Sequence, residues 1–150
     1  MGNCAVITTS DYITLGSERA IGIYLHWNGG CDSIKAFLTY CKIRGFRSPE
    51  TDNYGWANLC TVISNFFGEP YGLSVGIDRC CNLDCDNGDN GVYIIENWGI
   101  VGRKYAPERE QNTYPLDEMV WEIDQAQPED VHKFANLETC KEYLAGRGYT

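Results

Sequence analysis

Between Ile21 and Ser33 an apolar run (Ile21, Ile23, Leu25) stops at Trp27-Asn28-Gly29-Gly30, and Asp32-Ser33 opens a helical pattern. That order, a strand, a glycine turn and a helix start, constrains the chain more than any other stretch, because it ties one strand to one helix within a few residues. Two glycines let the backbone come close to a ligand, and the free N–H groups of a helix's first turn can receive a phosphate or another anion. A plainer reading of the same residues has Gly29-Gly30 turning the chain and Asp32 or Ser33 capping the helix.

The flanking sequence alternates short strands with amphipathic helices, without repeats or low-complexity linkers. Cys4 to Thr9 is β-rich, and Ile21 to Trp27 is the second strand. Ile34, Phe37, Leu38 and Cys41 then fall on one helical face, with Gly45 past its end. Trp56, Leu59, Cys60, Ile63, Phe66 and Phe67 repeat the period before Gly68, and Leu73 to Ile77 reads as a strand. Val92 to Ile95 and Ile100-Val101 read as a hairpin turning at Asn97-Trp98-Gly99. A polar stretch with Pro107, from Tyr105 to Thr113, reads as a mobile connector. Beyond it, Pro115 begins a helix carrying Leu116, Met119, Val120 and Ile123, and a last helix runs from Leu137 to Ala145.

These elements predict an α+β fold, a small mainly antiparallel sheet with two packed helices and a C-terminal helical pair. At 150 residues and 43% hydrophobic, the chain can bury a real core as one domain. Residues 1–105 form the expected α+β core and 106–150 a helical extension of it. The narrow apolar stripe of that extension suits docking on a second copy slightly better than closing the core, which points to a homodimer or a higher homo-oligomer.

With 21 acidic against 12 basic side chains, the formal charge of −9 argues against a protein that tracks extended nucleic acid. It suits solubility, and also a DNA mimic that occupies a nucleic-acid enzyme. No apolar stretch reaches the ~18 residues of a membrane span, and no basic and apolar leader opens the sequence, so a soluble cytoplasmic protein is expected. Eight cysteines without a secretory signal read as reduced thiols, with Cys41 and Cys60 in the core. Cys80, Cys81 and Cys85 cluster, but their spacing is a poor match to a zinc site and only His26 and His132 could add imidazole. The loop from Asp84 to Gly91 resembles a calcium loop only superficially. Counting from Asp84 puts Asp89 at the glycine position and Ile95 at the bidentate glutamate. No metal or cofactor is called for. The same loop reads as a turn, or as a polar rim whose Asn and Asp side chains meet a base edge or ribose hydroxyls.

A cysteine nucleophile would need a histidine beside it, and His26 or His132 approaching Cys31 or Cys140 is the arrangement to test, although nothing local signals it. His26 at a strand end reads as a hydrogen-bonded structural residue. Lys42, Arg44 and Arg47 at a helix end, and Arg103-Lys104 leaving the hairpin, could supply the few cations that one or two phosphates need.

Asn28-Gly29-Gly30-Cys31-Asp32-Ser33 resembles the SGGxDS loop of the PP-loop ATP pyrophosphatases, with Asn28 in place of the first serine. That resemblance covers the loop alone and implies nucleotide hydrolysis. A wider one rests on Tyr24-Leu25-His26-Trp27-Asn28-Gly29-Gly30, Tyr54-Gly55-Trp56-Ala57, Ser64-Asn65-Phe66-Phe67-Gly68, and Asp84-Cys85-Asp86-Asn87 through Asn90-Gly91-Val92-Tyr93. Together these are similar to small proteins of phages, prophages and mobile elements in Firmicutes, and most of all to the first type of Thoeris anti-defence protein. The resemblance spans residues 4–105. It implies a non-catalytic sponge that sequesters cyclic ADP-ribose signals in the infected bacterial cell, assembles as dimers or larger oligomers, and in some members holds cyclic oligonucleotides. Asn58 stands where those proteins carry a basic residue after the Trp-Ala pair.

The resulting expectation is a binder of a small nucleotide-derived signal with no catalytic residues. Trp27 or Phe67 would lie against an adenine face, Asn87 and Asn90 on ribose or base edges, Arg47 and Arg103 on phosphate, and Asn28 in the glycine loop. The alternatives are an acidic inhibitor of a defence or restriction enzyme, and a PP-loop-like nucleotide hydrolase.

Overall fold

The computed structural model describes residues 2–149. Five strands form one sheet: β1 (Ala5–Thr9), β2 (Ile21–Leu25), β3 (Val75–Arg79), β4 (Val92–Glu96) and β5 (Gly99–Lys104). Their order is β3-β2-β1-β4-β5. Every pair is antiparallel except β1 with β4, which run parallel with Val6 opposite Val92 and Thr9 opposite Ile95. The helices are α1 (Asp11–Thr14), α2 (Cys31–Ile43), α3 (Asn53–Phe67), α4 (Leu116–Ala126) and α5 (Leu137–Gly146). The fold is α+β, as the sequence predicts.

Alternation along the strands divides the core. Ala5, Ile7, Ile23, Leu25, Tyr93 and Ile95 face the helices and join Ile34, Phe37, Leu38, Leu59 and Ile63 in one buried cluster. Val6, Val92 and Ile94 face the opposite way and are covered by Cys80, Leu83, Cys85 and Tyr12. β1 is central, so both its faces are apolar and all five of its residues are buried.

The helix ends follow the sequence in part. Asp52 caps α3 by accepting from the Tyr54 N–H at 2.8 Å, and Gly68 ends it with φ 69°. The cap expected from Asp32 or Ser33 on α2 falls instead to Gly30, which contributes no side chain, and the helix begins at Cys31. Asn97 (φ 49°) and Trp98 (φ 61°) make the β4–β5 turn, where two positive φ values suit the twist of the hairpin. That conformation drives the Trp98 indole inward, and its Nε1–H donates to the Phe46 carbonyl at 2.8 Å.

The C-terminal helices correct one expectation. Met119, Val120 and Ile123 of α4 and Cys140 and Leu144 of α5 belong to the main buried cluster, so their apolar stripes close this chain's own core. Asp124 of α4 is fully buried and accepts from the Tyr40 hydroxyl (2.7 Å), the Lys133 N–H (2.9 Å) and the Phe134 N–H (3.0 Å). Residues 106–149 therefore pack as part of the same domain. The stretch expected as a mobile connector is tied down too. Glu110 pairs with Arg103, and the Gln111 carbonyl accepts from the Asp32 N–H. Among the described residues no helix is long and apolar enough to cross a membrane.

Candidate functional site

The glycine turn is shaped by its own chain. A Cβ on Gly29 would lie 2.5 Å from the Asn3 carbonyl oxygen and 2.8 Å from the Cys4 carbonyl carbon. One on Gly30 would collide with the Gln111 side chain. The two glycines thus admit the N-terminal segment and the 105–113 connector. Three amides at the start of α2 are engaged as well: the Asp32 N–H donates to the Gln111 carbonyl, the Ser33 N–H to Asp32 Oδ1 at 2.7 Å, and the Ile34 N–H to the Gly30 carbonyl. Asp32 Oδ2 accepts from the Tyr114 N–H at 2.9 Å. A carboxylate and a carbonyl occupy the place where an anion would dock.

Asn87, Asn90 and Arg103 come together at this end of the sheet. Asn87 Oδ1 accepts from the N–H groups of Asp89, Asn90 and Gly91 and so folds the loop upon itself. Asn90 is buried, and its amide donates to Asn3 Oδ1 and the Cys4 carbonyl. Arg103 stacks on the Tyr93 ring at 3.8 Å, donates to the Asn90 carbonyl at 2.7 Å and pairs with Glu110. All three hold β1, β4 and the connector in place. Asn28 adopts φ 54°, and its amide donates to Ser33 Oγ at 3.3 Å.

The other expected residues stand elsewhere. Arg47, past the C-terminal end of α2, pairs with Asp52 at 2.6 Å and lies over the Tyr54 ring. Arg103 instead bonds the Asn90 carbonyl and Glu110, so the two arginines serve different loops. Phe67 packs against the helix-side core in the last turn of α3. Trp27 is exposed and meets His26 edge-on, ring centroids 4.7 Å apart.

His26 finds a thiol, but neither of those expected. Its Nδ1 lies 3.4 Å from Cys4 Sγ, and the Tyr24 hydroxyl lies 2.9 Å from that sulfur and 3.0 Å from the same nitrogen. His132 instead binds the Gln127 carbonyl at 2.7 Å. Cys80 contacts Thr8 Oγ1 and Cys85 the Cys80 carbonyl, while Cys81 is exposed. Burial pushes the Cys85 and Cys140 thiols up to about 11. Among the described residues, no group of three or more His, Cys, Asp or Glu side chains is placed to hold a metal ion.

One cavity lies between α2, the start of β5 and residues 148–149, with a volume of about 460 Å³. Lys35, Leu38, Thr39 and Lys42 of α2 line one side, and Trp98, Ile100, Leu116 and Tyr149 the other. Among the described residues, no side-chain carboxylate lines it. Lys35 and Lys42 are seven residues apart, two helical turns, so both ammonium groups lie along one face with Leu38 and Thr39 between them. The sequence carries that spacing, but only the tertiary structure sets Trp98 and Tyr149 across from it. A second cavity of about 340 Å³ is lined by Tyr40, Arg44, Phe46, Asn58, Asn65 and Gln127. Its polar side chains are mostly committed: Asn65 donates to Gln127, Gln127 to two backbone carbonyls, and Arg44 to the Val131 carbonyl.

In comparisons with known protein families, curated proteins and solved structures, nothing matches this chain.

Proposed function

We propose that the protein binds a small nucleotide-derived anion in the α2–β5 cavity and releases it unaltered, sequestering a signal of bacterial anti-phage defence. The observation that carries the reading is the pair Lys35 and Lys42 facing an aromatic and aliphatic wall, with no side-chain carboxylate among the described lining residues, in a chain of formal charge −9. In a protein with excess acid, a local cationic site free of acid attracts anions while the rest of the surface repels them. A mostly apolar cavity with a few polar groups suits a ligand that has one planar face and one charged edge. The resemblance to Thoeris anti-defence proteins supports the choice of cyclic ADP-ribose isomers or cyclic oligonucleotides as that ligand.

Isothermal titration with a panel of these cyclic nucleotides tests the reading, followed by heat release and chromatography of the ligand. Saturable binding with intact ligand recovered, weakened about 100-fold or more in the Lys35→Glu/Lys42→Glu variant, is the expected result. Equal affinity in that variant removes the cavity from the proposal. Altered ligand makes the protein an enzyme toward it, and silence across the panel favours the acidic inhibitor of a protein target.

A further inference from the structure

We propose that Cys4 and His26 form a thiol acyl-transfer site for small acyl esters or thioesters, with Tyr24 as a positioning residue. The site lies where β1 begins and β2 ends, at the opposite end of the strands from the Trp98 turn, and it is independent of ligand capture in the α2–β5 cavity.

Three polar side-chain atoms meet there, at the adjoining ends of two adjacent strands. Ala5 pairs with Leu25 and Val6 with Tyr24, a register that puts Cys4 beside His26 just beyond the paired residues. Cys4 Sγ, His26 Nδ1 and Tyr24 Oη lie 2.9 to 3.4 Å from one another. A nucleophile within hydrogen-bond reach of a base, with a third group bonded to both, is the arrangement that nucleophilic catalysis uses. The pair is held firmly. The Cys4 N–H donates to Asp89 Oδ2 at 3.0 Å, the His26 N–H donates to the Ser74 carbonyl at 3.0 Å, and Gly2 lies against the imidazole so closely that a Cβ would sit 2.7 Å from it.

The reaction class follows from the state of the thiol. Burial is the largest influence on Cys4 and raises its pKa, while the Tyr24 hydrogen bond opposes that rise. Cys4 rests as a neutral thiol, so attack needs a base at the moment of reaction. Thiol–disulfide exchange favours a resting thiolate, whereas acyl transfer uses a shuttle that removes one proton and returns it to the leaving group. On the far side of the imidazole, Tyr24, His26, Leu73, Ser74, Val75 and Gly76 line a partly apolar cavity of about 280 Å³, and Cys4 itself is 7% exposed, which favours a small acyl donor.

In the forward step, His26 Nδ1 takes the thiol proton as Cys4 Sγ bonds to the acyl carbon. The carbon–oxygen or carbon–sulfur bond of the substrate then breaks, and the imidazolium returns the proton to the departing alcohol or thiol. Water, deprotonated by His26, next attacks the Cys4 thioester. The carbon–sulfur bond breaks, the carboxylic acid leaves, and Cys4 regains its proton. The Tyr24 hydroxyl donates to the sulfur as charge builds on it.

The test uses 4-nitrophenyl acetate with the full chain, reading nitrophenolate release in the first turnover and locating the acetyl group by peptide mass spectrometry. Cys81, the exposed thiol, is the internal control. One nitrophenolate per chain, with acetyl on Cys4 ahead of Cys81, is expected. His26→Gln should slow acetylation of Cys4 about 100-fold. Tyr24→Phe should lower the rate about tenfold while the amplitude stays at one per chain, a split that a purely structural role for the hydroxyl would not produce. Should His26→Gln fail to fold, Tyr24→Phe and the comparison of Cys4 with Cys81 decide the matter. Acetylation of Cys4 no faster than of Cys81, or an unchanged rate in whichever variant folds, overturns the proposal.

Discussion

The two ends of α2 differ in how their polar groups are spent. At its N-terminal end, Asn3, Asp32, Asn87, Asn90, Arg103 and Gln111 bond to one another and to backbone, and their strength goes into holding β1, β4 and the connector together. Along its body toward the other end, Lys35 and Lys42 border a cavity whose described lining residues include no acidic side chain. A dense set of convergent polar residues therefore marks structure here, and the proposed ligand site rests on a sparse pair of cations. Buried polar groups must be satisfied, so a tightly packed polar cluster tends to satisfy itself.

Substitutions at the crowded end should cost stability, and those at the cavity should cost binding. The largest effect belongs to Gly29→Ala, which forces a methyl group into the Asn3 and Cys4 backbone and should destabilise the fold by roughly 3–5 kcal/mol in urea unfolding. A loss below about 1 kcal/mol would mean that this end yields easily, and the contrast would fail.

Arg103→Ala comes next. It removes the bond to the Asn90 carbonyl and the stacking on Tyr93, at a cost of about 2 kcal/mol, yet should leave nucleotide titrations unchanged. Lost binding with intact stability would return the phosphate role to Arg103.

Alkaline pH reaches the helices that close the cavity. The Cys140 thiol, fully buried between α4 and α5, is held up to about 11, whereas the unfolded chain releases that proton near 9.0. The folded form keeps the proton longer, so this contribution is complete below the unfolded value and is lost as pH rises from about 9 toward 11. Melting temperature should hold level through neutral pH and then fall over that window, by an amount equivalent to about 2 kcal/mol. Cys140→Ala should flatten part of the decline, and an unchanged profile would place the titration in other groups.

The smallest effect is expected from Lys35→Ala. Affinity for the bound nucleotide should drop about threefold, with stability within about 0.5 kcal/mol of the parent chain. A larger destabilisation would show that Lys35 supports the helix as well as the cavity.

The local architecture was readable because it depends on neighbours in sequence. The apolar spacing in α2 and α3, Gly68 at a helix end, and the turn at Asn97-Trp98 all follow from periods and dihedral preferences that each segment carries by itself. The parallel pairing of β1 with β4 was not readable, since it joins residues about 86 positions apart and leaves no local mark. The meeting of Cys4 with His26 has the same origin: an antiparallel register aligns them, and spacing along the chain could not show it.

The amino-acid sequence by itself determined that this chain forms an α+β domain with a strand, a glycine turn and a helix at its centre, because steric and hydrophobic preferences act over short range. The tertiary structure alone decided which polar groups remain open to a ligand. Asn90 and Arg103 have the chemistry of binding residues, but the packing of the N-terminal segment and the connector supplies them with internal partners. Lys35 and Lys42 carry no motif, and they acquire a cavity only when the β4–β5 turn and the C-terminal residues bring Trp98 and Tyr149 across from α2. Whether a polar side chain is used up or left open depends on what folds against it, and in this protein those partners come from distant parts of the chain.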